Sequence, residues 1–478
     1  MRQLFVNIED NHYLTPGTPG HGFEGYFDTN SADKSVWEGH NDLLNVLGTL
    51  SESLGGDSSD ILDSVMSDVN VLSPSRDQSE GVFGQTLHVN EKWHRFSSRN
   101  YILDTIAAGY PLTVKLNTLA TKLIFSKETS SDKKKPKVVG IEYLEGQSVY
   151  RADPRNNGSQ SGTPGDVYAR KEVLVSGGTF NSPQILKLSG LGPKKELRRL
   201  GIDVVVDLPG VGSKLQDNHE VPIVGHASKA FEGPPPDPDA PACTFGAPGD
   251  PCIPLWEDGK GPYANFGQIN SIFRKSALPA LNERDMYMTG GTFAIRGFWP
   301  PTDSVPPDPP NTFALSTVKI HPRSTSGTVL LKSADPRDAP DINFHLFNDA
   351  EAKKDLKTYL DTIKWARRAF ADVPGPIGPI EPVEPPCAGT PAADGSCDDE
   401  GDMEWVMNQV FGHHPTSTCA IGSDLDKNAV LDSKLRVRGV DGLRVVDASA
   451  FPRTPGPFPA LPVFLLSEKA AEMILEDI

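Results

Sequence analysis

Apolar residues recur at helical spacing in several parts of the chain. Leu43, Leu47 and Leu50 mark one helix in a start that is otherwise rich in glycine and proline turns. Residues 349–371 form the clearest amphipathic pattern, and SSRNYIL opens a further helix that Ser97 or Ser98 can cap. We therefore predict these helices and expect those before residue 90 to lie on the surface.

Short runs rich in aliphatic and β-branched residues predict strands between these helices. LTVKLNTLATKLIF, residues 112–125, contains two adjacent strand-like runs. VVGIEYL, EVLVSGG and LRVVDAS continue as strands. Residues 313–344 alternate apolar and polar positions around turns, which predicts an antiparallel hairpin with one solvated face.

Length and charge narrow the class of protein. At 478 residues the chain is long enough for two packed domains, and its 37% hydrophobic and 23% charged residues are typical of a globular protein. The net charge of −17 disfavours nucleic acid and anionic membranes as partners. Because the sequence contains no run of 18 apolar residues, we predict no membrane-spanning segment.

Four of the five cysteines form two close pairs. Cys243 and Cys252 lie in one loop rich in proline and glycine, and Cys387 and Cys397 lie in another. Local disulfides are one interpretation and a metal site is the other, although neither pair has CxxC spacing or a nearby histidine. We favour disulfides without a metal, and with the glycosylation sequence at Asn157 they indicate a secreted protein.

The tail carries the clearest candidate for a catalytic base. Pro415 biases His414 towards an extended conformation, from which its imidazole can project into a cavity. Imidazole titrates near neutral pH, so it can accept a hydroxyl proton without a metal. The alternative is that His413 or His414 only makes a hydrogen bond in a buried turn.

Three segments resemble the glucose-methanol-choline (GMC) family of flavin oxidoreductases. They are GTFNSPQILKLSGLG at 178–192, HPTSTCAIG at 414–422 and the stretch from LRVVDAS to SEKAAEMI at 443–474. The resemblance covers nearly all of the chain. It implies an α/β (α+β) fold with an incomplete FAD-binding Rossmann-like domain and a second domain built on an antiparallel sheet that faces the substrate.

The resemblance also implies the residues of the site. His414 matches the family's catalytic base, and the remaining matches are expected to contact FAD, mostly through the backbone: Ala120, Gly177, Gly178, Asp447, Ala448 and Pro459. We expect the helix that contains GTFNSPQILKL to begin at Ser182 and Pro183. We also expect the N-terminus of the last helix to face the flavin and stabilise negative charge on it.

Two departures from the family pattern bear on the chemistry. The family's glycine after the catalytic histidine is Ser417 here. A second polar residue, commonly His or Asn, falls on Phe458, and PGPFPALPVFLL has no polar side chain to replace it. We expect either that Phe458 lines an apolar substrate pocket with His413 as the second polar contact, or that the reaction is altered or lost.

The family normally opens with a strand, a GxGxxG turn and a helix, which this sequence does not show. TPGTPGHGFEG contains the glycines, but prolines interrupt them and no apolar strand leads into them, so we predict a loop. We expect a chain without its front segment, divided into substrate-side helices and loops (1–95), part of the FAD-binding domain (96–225), the substrate domain (226–410) and a returning active-site segment (411–478).

Two classes of function follow from the resemblance. The first is an FAD-dependent oxidoreductase that acts on CH–OH donors, with an apolar or aromatic alcohol as substrate and oxygen or another compound as electron acceptor. The second is a family member without redox turnover, either a flavin-binding lyase or cyclase or an inactive truncated homologue. The acidic N-terminal residues are not those of a signal peptide, so the chain is either cytosolic or a secreted protein without its signal.

Overall fold

The computed structural model describes residues 1–127, 135–234, 240–298 and 306–477. These residues form two compact units, each assembled from three segments of the chain. Unit 1 contains residues 1–112, 219–320 and 354–411, and unit 2 contains residues 113–218, 321–353 and 412–478.

Helices and strands are numbered in chain order. The helices are α1 Arg2–Ile8, α2 Asn41–Ser53, α3 Ile61–Ser64, α4 Ser98–Ala107, α5 Gly178–Leu188, α6 Lys194–Arg199, α7 Cys252–Glu257, α8 Ala352–Asp372, α9 Asp399–Gln409 and α10 Ala460–Glu476. The strands are β1 Glu9–Asn11, β2 Phe27–Ser31, β3 Gly81–Gly84, β4 Thr86–Leu87, β5 Thr118–Phe125, β6 Val138–Glu145, β7 Thr163–Tyr168, β8 Val173–Val175, β9 Leu191–Gly192, β10 Val206–Asp207, β11 Glu220–His226, β12 Asn270–Arg274, β13 Met286–Gly291, β14 Thr312–Lys319, β15 Thr328–Leu330, β16 Asp341–Asn343, β17 Glu381–Glu384 and β18 Leu443–Val445.

Unit 1 is built on a six-stranded antiparallel sheet with the order β17-β11-β14-β13-β12-β3. Every residue of its central strand β14 is buried. The predicted hairpin over residues 313–344 is therefore wrong in its first half, because β14 pairs with β11 and β13 rather than with the strand that follows it. The second half does form a hairpin, in which β15 pairs with β16.

Two predicted helices of unit 1 are confirmed, one with a correction. Helix α8 matches the amphipathic pattern, and Trp365 on it donates its indole N–H to Ser53 Oγ at 3.1 Å. Helix α2 was expected on the surface, but Leu47 and Leu50 on it are fully buried. Helical periodicity identifies the apolar face, whereas only the packing of distant segments decides how completely that face is covered.

The glycines near the N-terminus serve packing within unit 1. Residues 15–25 form turns, as predicted, and strand β2 rather than a helix follows them. A Cβ atom at Gly22 would overlap Val6 O, and one at Gly25 would overlap Ile8 O. Both glycines therefore allow the loop to lie directly against the backbone of α1, which explains the GxGxxG-like spacing without a bound phosphate.

Unit 2 combines small sheets around one apolar core. Strands β5, β6 and β7 form an antiparallel sheet, and β8 pairs in parallel with β18. Leu186 from α5, Val175 from β8, Val445 from β18 and Met473 from α10 all lie in this core. The predicted strand over residues 112–116 is wrong, because this run is exposed and only β5 forms a ladder.

The compact units differ from the predicted domain boundaries, and two of the differences are large. Helix α4 lies in unit 1, although the predicted FAD-binding part begins at residue 96. Residues 321–353 lie in unit 2, although the predicted substrate domain includes them. The capping prediction for α4 is confirmed, because Ser97 and Asn100 form a capping box. The functional assignment of the four predicted segments stays a prediction.

Both predicted disulfides are present in unit 1. Cys243 is bonded to Cys252 and Cys387 to Cys397, so the metal alternative for these cysteines is wrong. The remaining cysteine, Cys419, is buried in unit 2. Within the described ranges, no helix combines the length and apolar character that crossing a bilayer requires.

Candidate active site

The candidate site lies in unit 2, where two parallel strands end at the same edge. Val175 and Val445 are register partners at the ends of β8 and β18. Gly177 and Gly178 follow the first strand, and Asp447 follows the second. Because the carboxyl ends of parallel strands meet at one edge, residues that are 269 positions apart in the sequence come together here.

Asp447 joins the two strand ends through hydrogen bonds. Its Oδ2 accepts the backbone N–H of Gly178 at 3.0 Å and the hydroxyl of Ser182 at 2.5 Å. Its Oδ1 accepts the N–H of Ser449 at 2.7 Å and so caps a short 3-10 helix over Ala448–Ala450. The carboxylate is buried, and three donors already satisfy it. Asp447 therefore holds the strand ends in place.

The two glycines leave the backbone open at this edge. Gly177 is exposed, and a Cβ atom on it would crowd Ser182 N at 3.1 Å. Gly178 has φ +78°, a conformation that favours glycine, and open space surrounds its missing side chain. The predicted start of α5 at Ser182 and Pro183 is wrong, because the helix begins at Gly178. The early start follows from the Ser182 hydroxyl, which accepts the Gly177 N–H at 2.9 Å and so folds this turn back on itself.

The segment that carries His414 is fixed by its backbone. The His414 N–H donates to Asp217 Oδ1 at 2.7 Å, and the residue is buried. A Cβ atom at Gly412 would overlap the Asp217 carboxylate, so the glycine allows the carboxylate to approach. Thr416 and Gln216 exchange backbone hydrogen bonds at 2.9 and 3.2 Å. The chain on both sides of His414 is thus held against residues 216–217.

Helix α5 anchors the same segment from another side. Thr179 Oγ1 donates to Pro415 O at 2.7 Å, and Thr418 Oγ1 donates to Thr179 O at 2.6 Å. Ser417 lies between these anchors with φ +82°, and its N–H donates to Ala448 O at 3.1 Å. The family's glycine at this position has a physical reason, because a residue with a side chain is strained at positive φ.

The imidazole of His414 meets two other rings. The His413 ring centroid lies 3.8 Å away, and the Phe458 ring makes an edge contact at 5.1 Å. The structure therefore brings together the three residues that the sequence predicted for catalysis. His414 Nδ1 is buried and has no hydrogen-bond partner among the described residues.

Burial sets the protonation state of this imidazole. Removal from water, followed by the neighbouring charge of His413, lowers the pKa of His414 to about 4. Burial also lowers the pKa of His413. His414 is therefore neutral at physiological pH and can accept a proton. Exposure supports the same direction, since only 8% of the residue is accessible.

The remaining predicted residues lie elsewhere on unit 2 or at its edge. Ala120 lies on β5 and pairs with Tyr143 on β6, beside a bulge between Ala120 and Lys122. The Leu123 N–H on that strand donates to Ser189 Oγ at 2.9 Å, just after α5. Pro459 is the N-cap of α10 and directly follows Phe458. The first turn of α10 therefore begins next to the ring that contacts His414.

The sequence prediction missed Asp217 and Thr179 as parts of this site. Asp217 stands in LQDNHEVP, which resembles a family connection, but nothing in the sequence pairs it with residue 414. Thr179 lies inside the GTFNSPQ segment, in which only Gly178 and the residue before it, Gly177, were predicted to contact the cofactor. No local signal in the sequence identifies either residue, because their hydrogen bonds to the His414 segment span 197 and 236 positions.

Comparison with known proteins places the chain among related sequences. Two sequence models described as GMC oxidoreductase match residues 67–220 and residues 322–467. An oxygen-dependent choline dehydrogenase of Photobacterium profundum is 31% identical over 412 residues, which cover 83% of this chain and 62% of that protein. A glucose methanol choline oxidoreductase of Aspergillus terreus is 30% identical over 78% of this chain and 55% of its own length. The chain thus spans less than two thirds of the length of these relatives.

Solved structures show the same fold at low identity. A formate oxidase of Aspergillus oryzae, studied for its FAD modification, has a TM-score of 0.72 and 19% identity, and the match covers 100% of this chain and 78% of that one. A pyridoxine 4-oxidase has a TM-score of 0.69 and 19% identity, and the match covers 99% of this chain and 76% of the oxidase. Because the two sequence models together match more than half of its residues, the chain belongs to the GMC oxidoreductase family.

Proposed function

We propose that this chain is an FAD-dependent oxidoreductase that acts on CH–OH donors, with His414 as the base. The observation that carries the proposal is the neutral, buried imidazole of His414, whose Nδ1 has no hydrogen-bond partner among the described residues. A histidine that served only structure would use this nitrogen in a hydrogen bond.

The residues at the strand edge fit the adenosine side of FAD. Gly177 and Gly178 offer an accessible backbone, and the open space at Gly178 would be filled by any side chain. Ala448 adds a small residue, and Asp447 fixes the relative position of both turns. Ala120 on β5 and Pro459 before α10 are the further contacts that we propose on the family pattern. Bound there, FAD would supply a hydride acceptor.

The chain's own residues would manage the proton. His414 accepts the hydroxyl proton of the alcohol as the carbon–hydrogen bond weakens, and the Asp217 and Thr179 hydrogen bonds keep its segment in place. His413 lies close enough to serve as a second polar contact. The Phe458 ring packs edge-on against the His414 ring and covers part of it. These contacts favour an apolar or aromatic primary alcohol, with oxygen or another compound as the final electron acceptor.

The non-redox alternative rests on one observation. Phe458 occupies the position at which the family pattern leads us to expect a second polar residue, so a lyase, a cyclase or an inactive chain is the competing function. The two disulfides, together with relatives of fungal origin, support secretion as part of the proposal.

A visible absorption spectrum separates these functions. The full chain is purified, incubated with FAD and freed of unbound cofactor, and an aromatic primary alcohol is then added without oxygen. The proposal predicts a retained flavin spectrum that bleaches with the alcohol and returns with air. A retained flavin that stays oxidised against a panel of aromatic and aliphatic alcohols would favour the alternative, and failure to retain flavin contradicts both FAD-dependent proposals.

A further inference from the structure

The loop between β6 and β7 contains the sequence Asn157-Gly158-Ser159. It is the only Asn-x-Ser or Asn-x-Thr tripeptide in the 478 residues. Asn157 and Ser159 are exposed, and Gly158 has φ +88° with open space where a side chain would stand. A bulky group attached to Asn157 would therefore meet solvent rather than the body of unit 2.

The carboxamide of Asn157 is oriented by the serine of its own tripeptide. Asn157 Oδ1 accepts the Ser159 N–H at 3.0 Å and the Ser159 hydroxyl at 2.6 Å. Both bonds use the oxygen, and in the described part of the chain Nδ2 donates to no other group. The nitrogen is thus the free end of an ordered, exposed side chain.

The neighbouring Asn156 has the opposite arrangement. Its Nδ2 donates to Ser148 O at 2.7 Å and its Oδ1 accepts the Gly158 N–H at 2.8 Å. Asn156 therefore ties two parts of the β6–β7 loop together, while Asn157 is exposed on the same loop. The two adjacent asparagines thus differ in their amide nitrogens, because Asn156 Nδ2 donates to a backbone carbonyl and, among the described residues, Asn157 Nδ2 does not.

The disulfides provide an independent observation about the compartment. Cys243–Cys252 and Cys387–Cys397 each join residues that lie nine or ten positions apart within unit 1. Disulfides persist in oxidising compartments, and the transfer of oligosaccharides to asparagine in eukaryotic cells takes place in the same compartment. A chain that closes both disulfides there has an accessible acceptor at Asn157.

We infer that Asn157 is an N-glycosylation site. The donor is an oligosaccharide linked to a lipid through pyrophosphate. The Asn157 Nδ2 forms a bond to the anomeric carbon of the first sugar, the bond from that carbon to the pyrophosphate oxygen breaks, the lipid pyrophosphate leaves, and the amide loses one proton. No electrons are transferred. This inference is independent of the oxidoreductase activity.

The test uses the full chain purified from the cells that naturally produce it. An amidase that releases N-linked oligosaccharides is applied in heavy-oxygen water, and the peptide that contains residue 157 is analysed by mass spectrometry. We expect one downward shift of the intact mass and heavy oxygen in an aspartate at position 157. In cells expressing variants, Asn157→Gln and Ser159→Ala should lose the shift, whereas Ser159→Thr and Asn156→Gln should keep it.

Two results would overturn the inference. One is an unmodified Asn157 in a chain whose disulfides are both closed. The other is a chain in which all of these cysteines are reduced, because the compartment argument then fails. Spontaneous deamidation of the Asn-Gly pair also gives aspartate and takes its oxygen from the water present, so a sample incubated in heavy-oxygen water without the amidase is the control. Labelled aspartate that forms equally in that control counts against glycosylation.

Discussion

Asp217 accepts the backbone N–H of His414 at 2.7 Å, although 197 positions separate the two residues in the sequence. This bond fixes the backbone of His414 and leaves its imidazole free for chemistry. The carboxylate reaches the N–H because residue 412 is glycine. A base whose backbone is fixed needs less reorganisation when it accepts a proton, which is the role that we propose for His414.

Replacing Asp217 tests this relationship. Asp217→Ala removes the acceptor and should lower the free energy of unfolding by about 1.5–3 kcal/mol, as expected for a hydrogen bond to a charged group. It should also raise the pKa of His414 towards its usual value, because the loosened segment admits water. Asp217→Asn keeps a carbonyl acceptor and should lose less. Chemical denaturation and NMR titration measure both quantities. Asp432→Ala, which removes the acceptor of the Lys434 and Arg436 N–H groups, is the control.

We expect Phe458 to contribute to the low pKa of His414, because its ring makes an edge contact with the imidazole. Phe458→Ala should raise that pKa from about 4 towards 6.5, because burial is the main cause of the shift. Phe180→Ala removes a ring of the same size that contacts Phe344 instead, and should leave the pKa unchanged. An NMR titration in which the Phe458 and Phe180 variants behave alike would contradict this role for Phe458.

The buried imidazole makes stability depend on pH in a defined direction. The pKa of His414 is about 4 in the folded chain and 6.5 as its ordinary value. As the pH falls, the unfolded chain binds this proton before the folded chain does. The contribution of His414 to the free energy of unfolding is therefore fully present above pH 6.5 and is lost progressively as the pH decreases towards 4.

His414→Gln isolates that contribution. The variant should lose less stability than the parent chain between these two pH values, as measured by urea unfolding at a series of pH values. Burial also lowers the pKa of His88 and His219 to about 4, but these residues contribute equally to both proteins. Parallel pH curves for variant and parent would show that His414 is not protonated more easily on unfolding.

Ser417 is strained where the family has glycine. Ser417→Gly should raise the free energy of unfolding by about 1 kcal/mol, because glycine adopts positive φ without the side-chain clash. The loss of the 3.0 Å contact between the Thr416 and Ser417 hydroxyls offsets part of this gain. Ser449→Gly, at a buried serine without positive φ, is the control and should destabilise. Thermal unfolding in which both variants lose stability would refute the strain argument.

The strand-end hydrogen bonds make Asp447 important for stability. Asp447→Ala leaves the Gly178 N–H, the Ser449 N–H and the Ser182 hydroxyl without their acceptor. We expect a loss of about 3–5 kcal/mol in the free energy of unfolding, since large losses of this kind come from breaking a buried network. Asp447→Asn should lose less. Denaturant unfolding that shows no loss for Asp447→Ala would mean that these donors find other partners.

Local signals in the sequence were sufficient for several elements. The amphipathic spacing identified α8, the serine before SRNYIL identified the cap of α4, and the close cysteine pairs identified both disulfides. Each of these features depends on residues within a few positions of one another. Motif resemblance identified His413, His414 and Phe458, which the structure brings into ring contact.

Long-range pairing was beyond the reach of such signals. The alternating pattern of β14 predicts a solvated face. The strand is instead buried throughout, because it lies between β11 and β13. The bond from His414 to Asp217 could not be read from the sequence for the same reason. Likewise, the start of α5 depends on the Ser182 hydroxyl folding back onto Gly177.

The rate of flavin bleaching by an alcohol, measured without oxygen in the FAD-loaded full chain, tests the central claim most directly. His414→Ala is compared with the parent chain and with His345→Asn, which removes another imidazole of unit 2. Loss of a general base predicts bleaching at least about 100-fold slower for His414→Ala, with the flavin still bound, and an unchanged rate for His345→Asn. Equal rates in all three proteins would contradict the assignment of His414 as the base.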